Sequence, residues 1–252
     1  MYKIPAKTLF LGKKLIYVPH CHSTNKLASE IAGEKEFQDG TVIITDHQTH
    51  GRGQRGNTWE AEQGKNFTFT ILFSPTFLLP MDQFYLNMVI SLGITDYIFN
   101  LFQRSALIKW PNDILFNEKK VGGILIENQI SGNRMTSSFV GIGLNMNQEK
   151  FDDRKASSLR HFSGVDFSLN NELPDLLNHI ESRYISLKAG KTKALASDYH
   201  ERLFGAGEWR KYLVGEKEIN GKIEGVDSTG RLLLETNSGV NSYELKEIRF
   251  IY

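Results

Sequence analysis

Apolar runs of two different periods alternate along most of the chain. Short runs rich in aromatic and β-branched residues predict strands. These runs are Lys14–Val18, Thr41–Thr45, Phe67–Phe73, Ala106–Trp110, Ile114–Phe116, Val121–Asn128 and Thr136–Leu144. Apolar residues three or four positions apart predict helices. The predicted helices follow Ser23-Thr24-Asn25 as far as Gly33 and cover Asp82–Phe102, Glu172–Lys188 and Lys193–Phe204. The order of these elements predicts an α+β fold.

The pattern changes near residues 207–215, beyond which the apolar runs become shorter. Lys222–Glu224, Arg231–Glu235 and Ser242–Ile251 alternate polar and apolar residues, and turn residues separate them. Such spacing is typical of a small antiparallel barrel, here of about five short strands. We therefore predict two domains, which comprise residues 1–207 and 208–252.

The segment Gly51–Gly56 (GRGQRG) interrupts this pattern with three glycines and two arginines. Glycine lets the backbone approach a ligand closely, and arginine suits carboxylate or phosphate recognition. The segment matches the dinucleotide-binding motif G-x-G-x-x-G, but that motif requires a helix after the glycines. The next regular run here, Phe67–Phe73, predicts a strand instead. The loop therefore indicates an anionic small molecule held beside peptide N–H groups.

Two further polar interruptions occur at predicted strand ends. Lys109–Asp113 (KWPND) predicts a turn, and Lys119–Gly123 then places two lysines before two glycines inside a strand. Gly141–Asn145 again places glycines in an apolar run, where Asn145 could read a heterocycle through paired hydrogen bonds. Each segment also has a purely structural interpretation, as a hairpin turn, a solvated lysine pair or a bulge.

Composition narrows the choice of function. The 252 residues are 40% hydrophobic and 23% charged, with a formal net charge of +1 and one cysteine, Cys21. This balance gives no general argument for a nucleic-acid partner. We find no signal peptide pattern and expect no apolar run of membrane-spanning length, hence no membrane partner.

The cysteine count excludes a disulfide framework and fits a cytoplasmic location. We predict no protein metal ligands, because neighbours such as His20 and Cys21 point to opposite faces of a strand.

Taken together and in order, these segments resemble the biotin–protein ligase family. The resemblance rests on His22–Asn25, Gln48, GRGQRGNTW (51–59), KWPNDI (109–114), KKVGGILIE (119–127), GIGLNMN (141–147) and KASSL (155–159). Residues 209–235 resemble the family's SH3-like C-terminal domain. The resemblance implies a class II synthetase-like catalytic domain with a mixed or antiparallel sheet. Only 22 residues precede Ser23, so we expect the monofunctional form without a helix-turn-helix domain.

The resemblance implies an ATP-dependent ligase. Such an enzyme forms biotinyl-5′-AMP and pyrophosphate, with Mg²⁺, and transfers biotin to a lysine of a biotin carboxyl carrier domain of a biotin-dependent carboxylase. A lipoate–protein ligase of the same fold and a non-enzymatic small-ligand-binding regulatory protein are the alternatives. The sequence leaves a homodimer open.

The resemblance also implies roles for individual residues. The biotin-binding residues would be Ser23, Thr24, Asn25, Gln48, Gly51, Arg52, Gly53, Gln54, Trp59, Lys120, Gly122 and Gly123. The residues that bind ATP or the adenylate would be Arg52, Gln54, Arg55, Lys109, Asn112, Lys120 and Asn145. Lys120, Arg52 and Asp113 would be catalytic, with Asp113 orienting or deprotonating the acceptor lysine. Some family members have arginine where this chain has Gln54. The glycine loop and the segment Gln148–Ser158 would cover the adenylate.

Overall fold

Two β-sheets organise the fold. The computed structural model describes residues 2, 4–34 and 37–251, without the side chains of residues 34 and 55. The first sheet contains β1 (Leu15–Cys21), β2 (Thr41–Gln48), β3 (Phe67–Phe73), β4 (Leu107–Lys109), β5 (Asp113–Phe116), β6 (Lys119–Ser131) and β7 (Arg134–Leu144). Its spatial order is β1-β2-β3-β7-β6-β5-β4, with β1 and β2 parallel and the remaining pairs antiparallel. The second sheet contains β8 (Trp209–Val214), β9 (Lys217–Val226), β10 (Leu232–Thr236), β11 (Gly239–Tyr243) and β12 (Ile248–Phe250), in the order β11-β10-β9-β8-β12.

Helices cover both faces of the first sheet. They are α1 (Thr24–Glu34), α2 (Phe84–Phe102), α3 (Leu159–Ser163), α4 (Leu169–Lys188) and α5 (Thr192–Glu201). Because strand side chains alternate between faces, Val42 and Ile44 enter the main core whereas Ile43 packs against Ala28 of α1. The main core also takes in the buried faces of α2, α4 and α5. The predicted α+β fold, with a mixed sheet and a small antiparallel second sheet, is confirmed.

Differences from the predicted elements have identifiable structural causes. The last predicted helix ends at Glu201 rather than Phe204, because the chain beyond it pairs with β4. Ile108 N donates to Arg202 O at 2.7 Å, and Phe204 N donates to Ile108 O at 2.8 Å. The predicted run Ser242–Ile251 is divided between β11 and β12 by a turn that contains Lys246 at positive φ. β8 and α3 were not predicted.

Helix α2 corrects one expectation. The segment Pro80–Phe102, which includes α2, has 23 residues, and its most apolar 18-residue stretch has a mean hydropathy of 1.2, so it is long and apolar enough to cross a membrane. The prediction that no run reaches this length was therefore wrong. In the structure 61% of that segment's most apolar window is buried. At Gly93 the backbone of α4 comes so close that a Cβ atom would lie 2.6 Å from Ile180 Cα. Packing within the protein accounts for the apolar character of the helix.

An ion-pair network joins the three helices of this layer. Arg183 of α4 contacts Asp96 of α2 through two nitrogens, at 2.6 and 3.1 Å, and also pairs with Asp198 of α5. Arg202 contacts the same Asp96 carboxylate at 2.6 Å. Burial alone would raise the pKa of Asp96, but the two guanidinium groups outweigh it and hold the pKa below its usual value. The network therefore stabilises the folded state when Asp96 is ionised.

We expect Asp96→Asn to lower the free energy of unfolding at pH 7 by about 1.5–3 kcal/mol, the usual loss for hydrogen bonds to a charged group. A depressed folded-state pKa contributes stability above the unfolded-state pKa of about 4, and the contribution is lost as the pH falls. The difference between wild type and variant should therefore shrink below pH ~4. Urea titrations at several pH values measure it, and a difference that persists undiminished at lower pH would contradict the assignment.

Candidate active site

A cavity of about 510 Å³ lies between the N-terminus of α1, the glycine loop, the KWPND turn and the second sheet. Most of the residues predicted for binding or catalysis line it. These are Ser23, Thr24, Asn25, Gln48, Arg52, Gly53, Gln54, Trp59, Lys109, Asn112, Asp113, Lys120 and Gly123. Three others, Gly51, Gly122 and Asn145, do not line this cavity. The side chain of Arg55 lies outside the part of the chain that the structure describes.

One end of the cavity is a buried polar wall. Gln48 Oε1 accepts hydrogen bonds from the backbone N and from Oγ1 of Thr24, at 2.7 and 3.1 Å. Thr70 Oγ1 lies 2.8 Å from Thr24 Oγ1 and donates to Asn25 Oδ1 at 2.6 Å. Thr24 and Asn25 are each 3% exposed and Thr70 is fully buried. Because these groups are already oriented by one another, the wall is rigid and suits a polar, uncharged ring.

Thr70 belongs to this wall although sequence analysis did not select it. The sequence of β3 does contain an indication of this role, because Thr68 and Thr70 alternate with phenylalanines in an otherwise apolar run. The phenylalanines enter the main core, so the threonines face the opposite side of the sheet. Of the two threonines, Thr68 lines the cavity, whereas Thr70 lies behind the lining, where it holds Thr24 and Asn25.

Glycines on the sheet surface make room for an indole ring. A Cβ atom built on Gly143 would overlap the Trp59 indole, and one built on Gly123 would lie 3.1 Å from it. The neighbouring Gly122 faces the other side, where its Cβ atom would lie 3.2 Å from Leu144 in the main core. Sequence analysis selected both glycines of the pair, but successive strand residues point to opposite faces, so Gly122 is directed away from the cavity.

The loop glycine Gly51 has a different reason to lack a side chain. A Cβ atom there would overlap the carbonyl oxygen of Trp59. The two backbone segments cannot move apart to make room, because Trp59 N donates to Gly51 O at 3.0 Å. Gly51 therefore closes the base of the loop. It lines a second cavity of about 750 Å³ that is formed by the same loop and Glu127.

Charged side chains gather at the other end of the main cavity. The carboxylate of Asp113 lies 2.6 Å from Lys120 Nζ and 3.8 Å from Lys109 Nζ. Lys120 Nζ also lies 5.7 Å from the centre of a Trp59 ring. Asp113 therefore directs one lysine into the cavity, and the aromatic face lies beneath its ammonium group.

The backbone of Lys120 is fixed by the segment predicted as a cover. Lys120 N donates to Lys155 O at 2.8 Å, and Ser157 N donates to Lys120 O at 2.9 Å. Asn145 secures this segment because its Nδ2 donates to Ser157 O at 3.0 Å. Asn145 Oδ1 is buried and has no hydrogen-bond partner among the described residues. An oriented, unused acceptor of this kind can receive a ligand N–H group.

The second sheet completes the cavity. It contributes Leu245, Lys246, Ile248, Arg249 and Phe250 to the lining. Trp110 Nε1 donates to Gly230 O at 2.9 Å, which attaches the KWPND turn to the second sheet. In all, six cationic and three anionic side chains line the cavity, although the whole chain has a net charge of only +1. The cavity therefore concentrates positive charge and favours an anionic ligand.

Comparison with known proteins places this geometry in a family. Residues 17–145 match the model of the biotin/lipoate A/B protein ligase family, and residues 212–249 match that of the biotin protein ligase C-terminal domain. The bifunctional ligase/repressor BirA of Bacillus subtilis is 31% identical over 239 residues, which are 93% of this chain and 73% of that protein. The biotin–[acetyl-CoA-carboxylase] ligase of Mycobacterium tuberculosis is 29% identical, over 88% of this chain and 84% of that protein.

A solved structure shows the same architecture. The biotin protein ligase of Aquifex aeolicus in complex with biotin and ATP superposes with a TM-score of 0.78 and 28% identity. The match covers 95% of this chain and all of that one. The resemblance to biotin–protein ligases and the expectation of a ligase are thereby confirmed. The chain belongs to the biotin/lipoate A/B protein ligase family.

Proposed function

We propose that this protein joins biotin to ATP and then transfers biotin to a lysine of a biotin carboxyl carrier domain. One observation carries the proposal: a single cavity connects a buried polar wall to a cluster of cations. Biotin is a bicyclic urea with a carboxylate tail, so its ring matches the polar wall and its tail matches the cluster of cations. The Aquifex aeolicus relative, which was solved with biotin and ATP, supports the same pair of substrates.

The wall offers hydrogen-bond partners for the biotin ring. The ring carries N–H donors and one carbonyl acceptor, and Thr24 and Gln48 present a hydroxyl and an amide group to the cavity from different elements, with Thr70 behind them. Because these groups are already hydrogen-bonded to one another, their remaining donors and acceptors would meet the ring in fixed directions. With the ring held there, the tail extends towards Lys120 across the glycine floor, which Gly123, Gly143 and the overlying Trp59 indole form.

The cationic end supplies what the first chemical step needs. An oxygen of the biotin carboxylate attacks the α-phosphorus of ATP, the bond to the bridging oxygen breaks, and pyrophosphate leaves. Two anions approach each other in this step, so fixed positive charge at Lys120 and Arg52 stabilises the transition state. Asn145 lies behind the cavity lining, and its proposed part in ATP binding is to hold the segment around Ser157 that fixes the Lys120 backbone.

Mg²⁺ is part of the proposal as a companion of the nucleotide. Within the described residues, no group of three or more His, Cys, Asp or Glu side chains is arranged to hold a metal ion. Mg²⁺ usually binds through phosphates, water and one or two carboxylates, so this set of residues fits an ion that arrives with ATP. When bound, it would screen the negative charge of the pyrophosphate.

Biotin-dependent exchange of pyrophosphate into ATP tests the first step. We expect exchange with biotin and none with lipoate at equal concentration. Exchange that depends on lipoate instead would identify a lipoate–protein ligase. Tight binding of biotin without exchange would identify a binding protein. Labelling of a carrier domain with biotin then tests the transfer.

The glycine floor provides a further prediction. Gly143→Ala should raise KM for biotin about tenfold, since one added methyl group displaces Trp59 from the sheet and overpacking typically costs about 1–3 kcal/mol. Initial rates of exchange against biotin concentration measure the effect. Gly33→Ala is the matched control, because a Cβ atom there meets nothing within 4 Å. An unchanged KM in Gly143→Ala would mean that Trp59 does not form the floor of the biotin site.

A further inference from the structure

Glu127 on β6 joins the glycine loop to helix α1 without lining the main cavity. Its Oε1 lies 3.0 Å from Arg52 Nη2, and its Oε2 accepts from Arg52 Nη1 at 3.5 Å. The same Oε2 accepts from Asn25 Nδ2 at 2.9 Å. One carboxylate therefore contacts both the loop arginine and the polar wall.

These contacts extend the hydrogen-bonded wall as far as the loop. The series begins at Gln48 and passes through Thr24, Thr70, Asn25 and Glu127 to Arg52. Thr24, Thr70 and Asn25 within the series are almost fully buried, whereas the side chain of Arg52 is 50% exposed. The buried part is rigid, so the exposed arginine takes its direction from a fixed carboxylate.

An ion pair this exposed adds little to folding stability. The ion pair instead orients the side chain, because a contact of two nitrogens with two carboxylate oxygens restricts an arginine that would otherwise sample many rotamers. The guanidinium has five N–H donors, so those not directed at Glu127 stay available to a ligand. Arg52 also closes the loop through its bridge to Thr58, so fixing its side chain fixes the loop above the cavity.

We propose that Glu127 is a positioning residue that holds Arg52, and with it the glycine loop, over the adenylate. The inference rests on the proposed function for what Arg52 contacts. Removing the carboxylate has two opposing effects on an anionic intermediate: Arg52 loses its orientation, and a nearby negative charge disappears. The charge effect is small, because the carboxylate is partly exposed and already paired with Arg52. Loss of orientation therefore decides the outcome.

A double-mutant cycle tests the proposal. Glu127→Gln keeps an oxygen that can accept from Asn25, so it removes chiefly the contact with Arg52. We expect about fivefold faster escape of biotinyl-AMP and about fivefold higher KM for biotin, as for loss of a single exposed ion pair. The fall in kcat of pyrophosphate exchange should be smaller than in Arg52→Ala, because a mobile Arg52 still supplies its charge. In the Arg52→Ala background the same substitution should have no further effect. Glu216→Gln, which removes an exposed carboxylate from a turn of the second sheet, is the control.

A second measurement needs no substrate. Amide hydrogen exchange of residues 51–58 should accelerate equally in Glu127→Gln and Arg52→Ala, and no further in the double variant. If the wild type shows no biotin-dependent exchange of pyrophosphate, the proposed function is wrong and this measurement alone judges the role of Glu127. Unchanged loop exchange in Glu127→Gln, or an equal effect with and without Arg52 in either measurement, would overturn the proposal.

Discussion

Lys120→Ala should reduce biotin-dependent pyrophosphate exchange by about 10²–10³, the usual loss when one preorganised group that stabilises the transition state is removed. Lys120 is the cation that Asp113 directs into the cavity, with Nζ 2.6 Å from the carboxylate. Its backbone N–H and C=O are both hydrogen-bonded to residues 155 and 157, which fixes the point from which the side chain extends. In the proposed reaction it faces the carboxylate and the α-phosphate together. The expected loss is therefore in kcat rather than in KM.

The chain provides a matched control for this substitution. Lys119 is the adjacent residue, but its Nζ donates to Arg154 O at 2.8 Å and its side chain does not line the cavity. Lys119→Ala removes the same charge at nearly the same place and should leave exchange almost unchanged. The unfolding midpoint of Lys120→Ala should stay near that of the wild type. Exchange within about threefold of wild type in Lys120→Ala would refute its assignment to transition-state stabilisation.

The fold was predictable from the sequence where local pattern and tertiary packing agree. β3 begins and ends at the predicted residues, because phenylalanines at alternate positions and turns at both ends define it unambiguously. The end of α5 was misplaced because Leu203 and Phe204 pair with β4, nearly a hundred positions earlier. No local pattern reports a partner at that separation.

The site could be predicted in part, for the same reason. Segments with unusual local chemistry, such as GRGQRG and KWPND, stood out and line one cavity. Thr70 and Glu127 did not, because a threonine in a strand and a glutamate near the end of a predicted strand have ordinary structural explanations. Arg249 reaches the cavity only because the second sheet is folded against the KWPND turn. The roles of these residues depend on contacts with neighbours that are distant in the sequence.

Asp113 shows how the structure refines a role inferred from the sequence. The resemblance implies that its carboxylate serves the acceptor lysine, and the structure pairs that carboxylate with Lys120. In the proposed reaction the two roles act in different steps: orientation of Lys120 matters for adenylate formation, and proton removal matters for transfer. A free lysine amine has a pKa of about 10.4, so little of it is neutral at pH 7 without a base.

We therefore expect Asp113→Asn to slow the two steps unequally. Asparagine preserves the turn and can still accept a hydrogen bond from Lys120, so adenylate formation should fall by only about tenfold, the loss of one charge-assisted contact. Transfer should fall by about 10²–10⁴, because an amide cannot take the proton as the amine attacks the anhydride carbonyl and AMP leaves. Single-turnover transfer from preformed biotinyl-AMP, set beside pyrophosphate exchange, separates the steps. Glu118→Gln, which removes another carboxylate from the cavity lining, should leave the ratio of the two rates unchanged. Equal losses in both steps for Asp113→Asn would mean that Asp113 acts only by orienting Lys120, and that another group accepts the proton of the incoming lysine.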